Sequence, residues 1–212
     1  AIDAAYEAFP SWSKKTAKER SIILNKFCKL MLENADDLAA ILTAEMGKPL
    51  AEAKGEITYG ASFIEWFAEE GKRIYGETIP GHQEDKRIIV LKQPVGVVAA
   101  ITPWNFPNAM ITRKLGPALA AGCCFVAKAQ EDTPLSALAL CDLAEEAGIP
   151  KGVFSVLTTS DPVEIGKELC SNDKIRKLTF TGKTEVLKKL LKQLSDKFLN
   201  MSMDLGGNAP FI

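Results

Sequence analysis

The sequence has few of the features that mark several classes of protein. Its 212 residues include one histidine, His82, in a polar stretch where we expect a solvated loop residue, and no Cys/His/Asp/Glu spacing is typical of a metal site. The formal net charge is -1, and no basic cluster alternates with aromatic residues, so we expect no nucleic-acid partner. No apolar run approaches the length of a membrane span, and no signal-peptide pattern is present, so we expect no membrane partner.

The cysteines are five, an odd number, and most of them are embedded in apolar segments. They are Cys28, Cys123, Cys124, Cys141 and Cys170. This usage is typical of reduced thiols packed in a core, and it favours the cytoplasm or the mitochondrial matrix. Because 47% of the residues are hydrophobic, a chain of this length is expected to bury a sizeable core.

The hydrophobic pattern divides the chain into three parts. Residues 1–75 show helical spacing throughout, and residues 76–93 are a polar turn followed by one β-branched strand at 87–92. From residue 94 onward strands alternate with helices, which predicts an α/β fold with a doubly wound, parallel, Rossmann-like sheet. The predicted strands are 95–101, 123–127, 153–157, 177–180 and 200–204, and the predicted helices are 109–121, 134–147, 163–170 and 185–198.

The chain is organised around one strand, loop and helix. An apolar strand ends at Ile101, and the turn Pro103-Trp104-Asn105-Phe106-Pro107 opens the next helix. Since ligands of open α/β sheets bind at the carboxyl ends of strands, Trp104 and Asn105 are expected to meet a substrate or cofactor. The Asn105 amide is suited to stabilise an oxyanion, or simply to cap the helix. Arg113, a cation in an otherwise apolar helix, needs an anion, either a carboxylate ligand or a nearby acidic residue.

Two further strand ends carry signals for a nucleotide. Lys128 and Glu131 follow a strand, where a carboxylate accepts both hydroxyls of an adenosine ribose and repels a 2′-phosphate. We therefore favour NAD over NADP; the other interpretation is a solvated turn. Phe180-Thr181-Gly182-Lys183 runs from a strand through glycine into a helix, which is a natural pyrophosphate site, although the Gly-x-Gly-x-x-Gly fingerprint is absent from the sequence.

Together these motifs resemble the aldehyde dehydrogenase superfamily over essentially the whole chain. The segment Met110-Ile111-Thr112-Arg113-Lys114 is similar to the succinate-semialdehyde dehydrogenase branch. The resemblance implies that Asn105 donates to the thiohemiacetal oxyanion and that Arg113 holds the distal carboxylate of a semialdehyde. It also implies that Asp204 is the general base that activates water, although closure of the Gly206-Gly207 turn is an equal interpretation. The implied cofactor contacts are Thr102, Pro103, Trp104, Lys128, Glu131, Gly182, Lys183 and Leu205.

The resemblance also implies roles for two segments outside the strand ends. Glu45-Met46-Gly47-Lys48-Pro49 resembles the Glu-x-Gly-Lys-Pro signature of the family, to which we assign a structural role. Residues 76–93 correspond to an arm that pairs between subunits, so a homo-oligomer is expected. We therefore interpret residues 1–212 as a single NAD-binding domain, with a helical segment (1–75), the arm (76–93) and the nucleotide-binding sheet (94–212).

The sequence also departs from the family pattern. Ala129 and Gln130 interrupt a Lys-Pro-Ala-Glu motif, Lys183 replaces a serine, Leu187 replaces a glycine, and Asp204 replaces a glutamate. The family's nucleophile, a cysteine in a Gly-Gln-x-Cys context, is not among the residues of this sequence, and none of the five cysteines substitutes for it. We expect the cofactor-binding half of an NAD(P)-dependent aldehyde dehydrogenase acting on succinate semialdehyde, without the catalytic Cys domain and so inactive alone. The alternative is a truncated, non-enzymatic nucleotide-binding or scaffold relative.

Overall fold

The computed structural model describes residues 1–195, 197 and 199–207. The helices are α1 (Ile2–Ser13), α2 (Ala17–Glu33), α3 (Ala35–Met46), α4 (Leu50–Glu70), α5 (Ala109–Ala120), α6 (Pro134–Ala147), α7 (Pro162–Ser171) and α8 (Thr184–Leu194). The strands are β1 (Glu77–Pro80), β2 (Arg87–Val90), β3 (Val97–Ile101), β4 (Cys124–Lys128), β5 (Phe154–Leu157), β6 (Ile175–Gly182) and β7 (Asn200–Leu205).

The main sheet has five parallel strands in the order β5-β4-β3-β6-β7. Its central strand β3 pairs with β4 on one side and with β6 on the other, with Ala99 opposite Val126 and Leu178. The connections from β3 lead outward through β4 to β5, then return across the sheet to β6 and β7. Because such crossovers are right-handed, α5 and α6 cover one face while α7 and α8 cover the other. The predicted doubly wound, Rossmann-like fold is confirmed, with its switch point between β3 and β6.

The N-terminal helices add a layer to the α5 and α6 side, and their apolar residues join the core of the sheet. The fully buried Trp12 of α1 donates its Nε1–H to the Leu119 carbonyl oxygen at 3.2 Å, near the end of α5. Helix α4 crosses α5 closely at Gly60, where an added Cβ would lie 2.4 Å from the Asn108 side-chain oxygen. A larger residue would therefore displace the buried Asn108 side chain, and glycine lets α4 pack closely against the first turn of α5.

The arm contains two strands rather than the single strand predicted. Residues 77–80, interpreted from the sequence as part of a polar turn, form β1 and pair antiparallel with β2, with Glu77 opposite Val90. The prediction was wrong here because a four-residue strand exposed on both faces has no apolar alternation to reveal it. The last predicted helix also differs, since α8 ends at Leu194, and position 198, its expected end, lies outside the described residues.

Candidate functional site

The loops that follow β3, β4 and β6 open into a cleft of about 520 Å³ at the switch point. The helices α7 and α8 form the other wall of this cleft. Its lining residues are Ile101, Thr102, Pro103, Trp104, Lys128, Gln130, Glu131, Asp132, Pro162, Val163, Gly166, Phe180, Thr181, Gly182, Lys183, Val186, Lys189, Leu190 and Gln193. The sheet topology thus brings together three loops that lie far apart in the sequence.

Most of the residues expected at a cofactor lie in this cleft. Thr102, Pro103 and Trp104 line it after β3, and Trp104 is 54% exposed. Leu205 is not on the cleft wall: it ends β7 and lies beside Gly182 of β6 in the strand register. Asn105 is likewise outside the lining, in the exposed loop just beyond Trp104.

Lys128 and Glu131 form an ion pair at the end of β4. The Lys128 Nζ donates to Glu131 Oε1 at 2.6 Å, with 6% of the Lys128 side chain and 26% of the Glu131 side chain exposed. A buried ammonium is stable only beside an anion, which explains why the loop folds the carboxylate back over the lysine. A solvated turn, the alternative interpretation, is therefore wrong for Lys128, while Glu131 still presents carboxylate surface to the cleft.

The end of β6 has the shape and the polar groups of an anion site. An added Cβ at Gly182 would lie 2.8 Å from the Phe180 ring, so a larger residue here would require the ring or the strand end to shift. The Thr181 hydroxyl is buried on the cleft wall without a hydrogen-bond partner among the described residues. Lys183, which lines the cleft, is the N-cap of α8, and a helix N-terminus is a favourable place for an anion.

Helix α8 contributes a second cation that sequence reasoning missed. Lys189 lies on the cleft wall with Val186 and Gln193, at spacings of three and four residues that place them on one helical face. Leu187, which stands where the family pattern has a glycine, is 5% exposed and packs in the core rather than on the cleft wall. The amphipathic spacing of α8 was the sequence signal that could have placed Lys189 on its polar face and Leu187 on its apolar face.

A second hollow, of about 470 Å³, lies where α5 faces β6 and β7, and it holds Arg113 and Asp204. The Arg113 Nη1 lies 3.9 Å from Asp204 Oδ2, with 47% and 52% of the two side chains exposed. The acidic partner considered for Arg113 is therefore present, but the contact is long and solvated, which makes it weak. The remainder of the Asp204 motif, Asn208 to Pro210, lies outside the described residues.

Lys114, next to Arg113 in the Thr-Arg-Lys motif, is a further residue of this hollow that sequence reasoning missed. Its Nζ donates to the Thr179 hydroxyl at 3.1 Å. Burial lowers the pKa of Lys114 from 10.5 to about 8; Asp204 opposes this change, whereas Arg113 and Lys177 add to it. In the sequence, the position of Lys114 beside Arg113 was the only indication that it belongs to this site, and it did not predict that the side chain is buried.

Asn105 does not cap α5. The N-cap is Asn108, three residues later, and the main-chain oxygen of Asn105 accepts from Lys48 Nζ at 2.9 Å. The interpretation of Asn105 as a helix cap is therefore wrong, and its exposed side chain remains a candidate amide donor. The amides that a cap would satisfy, those of Asn108 and Ala109, donate to the buried Glu56 carboxylate at 3.0 and 3.1 Å.

All five cysteines are free, and four of them are buried. Burial raises the pKa of every one of these thiols, to about 12 for Cys124 and Cys141 and to about 11 for Cys170. A nucleophilic cysteine must be a thiolate near neutral pH, and raised pKa values prevent this. These five residues therefore behave as core thiols.

The described residues contain neither a group of metal-ligating side chains nor a helix able to cross a membrane. Within residues 1–195, 197 and 199–207, no three His, Cys, Asp or Glu side chains are grouped closely enough to hold a metal ion. No helix in the same residues combines the length and apolar character needed to cross a membrane.

Comparison with known proteins extends these observations. The aldehyde dehydrogenase family model matches residues 1–212. The chain is 65% identical over 212 residues to the glutarate-semialdehyde dehydrogenase of Pseudomonas aeruginosa, and 64% identical to an Escherichia coli succinate-semialdehyde dehydrogenase named for NADP(+). Each alignment covers 100% of this chain and 44% of the relative, so the chain spans less than half of their length. A crystal structure of succinate-semialdehyde dehydrogenase from Burkholderia pseudomallei superposes with a TM-score of 0.97 at 60% identity, covering 99% of this chain and 43% of that one.

Proposed function

Since the chain belongs to the aldehyde dehydrogenase family, we propose that it is the cofactor-binding half of an NAD(P)-dependent enzyme that oxidises succinate semialdehyde to the acid. One observation carries the proposal: the 520 Å³ cleft at the switch point gathers a carboxylate, a strand-end glycine and an orphaned hydroxyl. Ligands of doubly wound sheets bind at this place in the fold. The names of both relatives support a semialdehyde that carries a carboxylate, and the name of the Escherichia coli relative supports succinate semialdehyde in particular.

The residues of the cleft fit a dinucleotide. The Glu131 carboxylate and the Lys128 ammonium would hold the adenosine ribose, since they can accept from and donate to its hydroxyls. The α8 N-terminus, the Thr181 hydroxyl and Lys183 would hold the pyrophosphate, although the bulk of Lys183 is also suited to obstruct it. When bound, the dinucleotide supplies the acceptor for a hydride.

We propose that NAD is preferred to NADP because Glu131 presents a carboxylate where a 2′-phosphate would lie. The 2.6 Å contact with Lys128 neutralises part of this charge, so the preference is modest. The opposite arrangement, in which Lys128 binds a 2′-phosphate, predicts the reverse order of affinities. The name of the Escherichia coli relative makes this second arrangement worth testing.

The proposed catalytic contributions of this chain lie in the loop after β3, on α5 and on β7. Asn105 would donate its amide to the oxyanion of the covalent intermediate, and Asp204 would take a proton from the hydrolytic water. Arg113 would hold the carboxylate of the semialdehyde, in competition with Asp204, from which it is 3.9 Å away. The nucleophile must come from elsewhere, because burial keeps the thiols of this chain protonated.

We further propose that the chain forms a homo-oligomer and belongs to a reducing compartment. The arm exposes hydrogen-bonding strand edges and apolar side chains, with Ile89 67% exposed, which favours pairing with a second copy of the chain. Five free thiols favour a reducing compartment, the cytoplasm or the mitochondrial matrix.

Calorimetric titration of the 212-residue chain with NAD and with NADP tests the proposal. We expect NAD to bind in the micromolar range and NADP more weakly. Glu131→Gln should remove the difference, because the carboxamide does not repel a phosphate. Asp132→Asn, which neutralises the neighbouring carboxylate on the same wall, is the matched control and should preserve the difference. A folded chain that binds neither dinucleotide would contradict the proposal and favour the non-enzymatic alternative.

A further inference from the structure

The first turn of α6 is capped by a residue from a distant helix. Both oxygens of the Glu45 carboxylate, at the end of α3, accept main-chain hydrogen bonds, from Leu135 at 2.8 Å and from Ser136 at 2.9 Å. The side chain of Thr133, the N-cap residue, makes no cap bond in the described structure. Glu131 lies only three residues before α6, so Glu45 fixes the helix end that follows the loop of Lys128 and Glu131.

The first turn of α5 is capped in the same way by Glu56 of α4. One oxygen of its buried carboxylate accepts from the amides of Asn108 and Ala109, and the other accepts from Lys48 Nζ at 2.5 Å. The same ammonium donates to the Asn105 carbonyl and lies 3.9 Å from the centre of the Phe106 ring. The loop that carries Trp104 and Asn105 is therefore held at both its middle and its end.

Gly47 allows Glu45 and Lys48 to serve different loops. It adopts a φ of +77°, the left-handed conformation that ends α3 and reverses the chain. An added Cβ would meet no atom within 4 Å, so the backbone conformation, rather than space, selects glycine here. The short signature from Glu45 to Pro49 thus sends one carboxylate to α6 and one ammonium to the loop before α5.

We propose that Glu45, Lys48 and Glu56, the brace residues, are positioning residues that set the two ligand loops of the cleft relative to each other. The Lys48 and Glu56 side chains are only 9% and 1% exposed, and because desolvation offsets much of the attraction in a buried pair, we assign this pair to positioning rather than to stability. The two halves are separable: Glu45 holds the Lys128 to Glu131 loop, and Lys48 with Glu56 holds the Trp104 and Asn105 loop. The effect on ligands, though not the brace itself, rests on the proposed function.

Amide hydrogen exchange by NMR tests the brace without any ligand. Glu45→Met should speed exchange at Leu135 and Ser136 about 10-fold or more, because a charged acceptor is lost, while Asn108 and Ala109 stay protected. The double variant Lys48→Met/Glu56→Met should speed exchange at Asn108 and Ala109 and leave Leu135 and Ser136 protected. Changing both residues leaves no uncompensated buried charge. The control is Asp36→Asn/Lys54→Met, which removes the exposed 2.7 Å pair between the same two helices and should leave all four amides unchanged.

Uniform acceleration of all four amides by either brace variant, or no acceleration at all, would overturn the proposal. If Glu45→Met does not fold, Glu45→Asp withdraws the carboxylate by one methylene and is assessed at the same amides. A change at Asn108 and Ala109 in that variant would count equally against separable positioning.

Binding of NAD and of AMP then measures the effect on the cleft. Glu45→Met should raise both dissociation constants by the same factor, whereas Lys48→Met/Glu56→Met should raise the constant for NAD and spare AMP. Such a split is not expected from a general loss of stability. A wild-type chain that binds neither ligand contradicts the proposed function alone, and the exchange result still decides on the brace. A wild-type chain that binds both, with equal losses in the two variants, contradicts the positioning role.

Discussion

A quantitative prediction concerns Lys114 of α5, whose ammonium is partly buried against Thr179 of β6. The fall of its pKa from 10.5 to about 8 corresponds to about 3 kcal/mol against the charged form in the folded state. Part of the side chain still reaches solvent, so we expect about 2 kcal/mol in practice. Lys114→Met removes this penalty together with the hydrogen bond to Thr179, and only the former depends on pH.

The sign of the pH dependence follows from proton binding. Between about pH 8 and pH 10.5 the unfolded chain keeps the Lys114 proton while the folded chain releases it. The stability of the wild type due to this group therefore rises with pH across that window, and the penalty is fully present below it. The stability of Lys114→Met relative to wild type should thus fall by about 2 kcal/mol from pH 7.5 to pH 10.5.

Urea denaturation of both proteins at the two pH values measures this difference, and other titrating groups cancel because they are common to both. Side-chain NMR of Lys114 gives the pKa directly. Asp204→Asn should lower that pKa further and Arg113→Leu should raise it, because the two charges act in opposite directions. A Lys114 pKa near 10.5, or a relative stability independent of pH, would refute the reasoning.

Three further predictions concern Leu187, two of the cysteines and Arg113. Leu187→Ala should destabilise the chain by about 2 to 4 kcal/mol in urea denaturation, through loss of core packing, and leave NAD affinity in the folded protein unchanged; a gain in affinity would place Leu187 on the cleft wall instead. Cys124 and Cys141 in the native chain should react with a disulfide reagent at pH 8 far more slowly than in the unfolded chain, since burial raises their pKa to about 12; fast native labelling would contradict this. In a longer protein that includes the nucleophile, Arg113→Ala should raise KM for a carboxylate-bearing semialdehyde far more than for an uncharged aldehyde, and equal effects would reject the carboxylate contact.

Local sequence determined the main elements of the sheet. The apolar run ending at Ile101 and the glycine at Gly182 predict strands that deliver their loops to one edge, and both do so. These predictions hold because strand and helix periodicity, and the punctuation by proline and glycine, depend on residues close in the chain. For the same reason the short exposed strand β1 was missed, since it buries no face.

The tertiary structure alone decided which partners each charged residue has. Glu56 meets Asn108 across 52 positions, Lys48 meets Asn105 across 57, and Glu45 meets Leu135 across 90. Nothing in the local pattern identifies these contacts, because they depend on how α3 and α4 pack against the sheet rather than on propensity. The burial of Lys114 was likewise decided by the tertiary structure, because the surrounding elements desolvate its ammonium and lower its pKa. The lysine of the same Thr-Arg-Lys sequence on an exposed helix would keep an ordinary pKa.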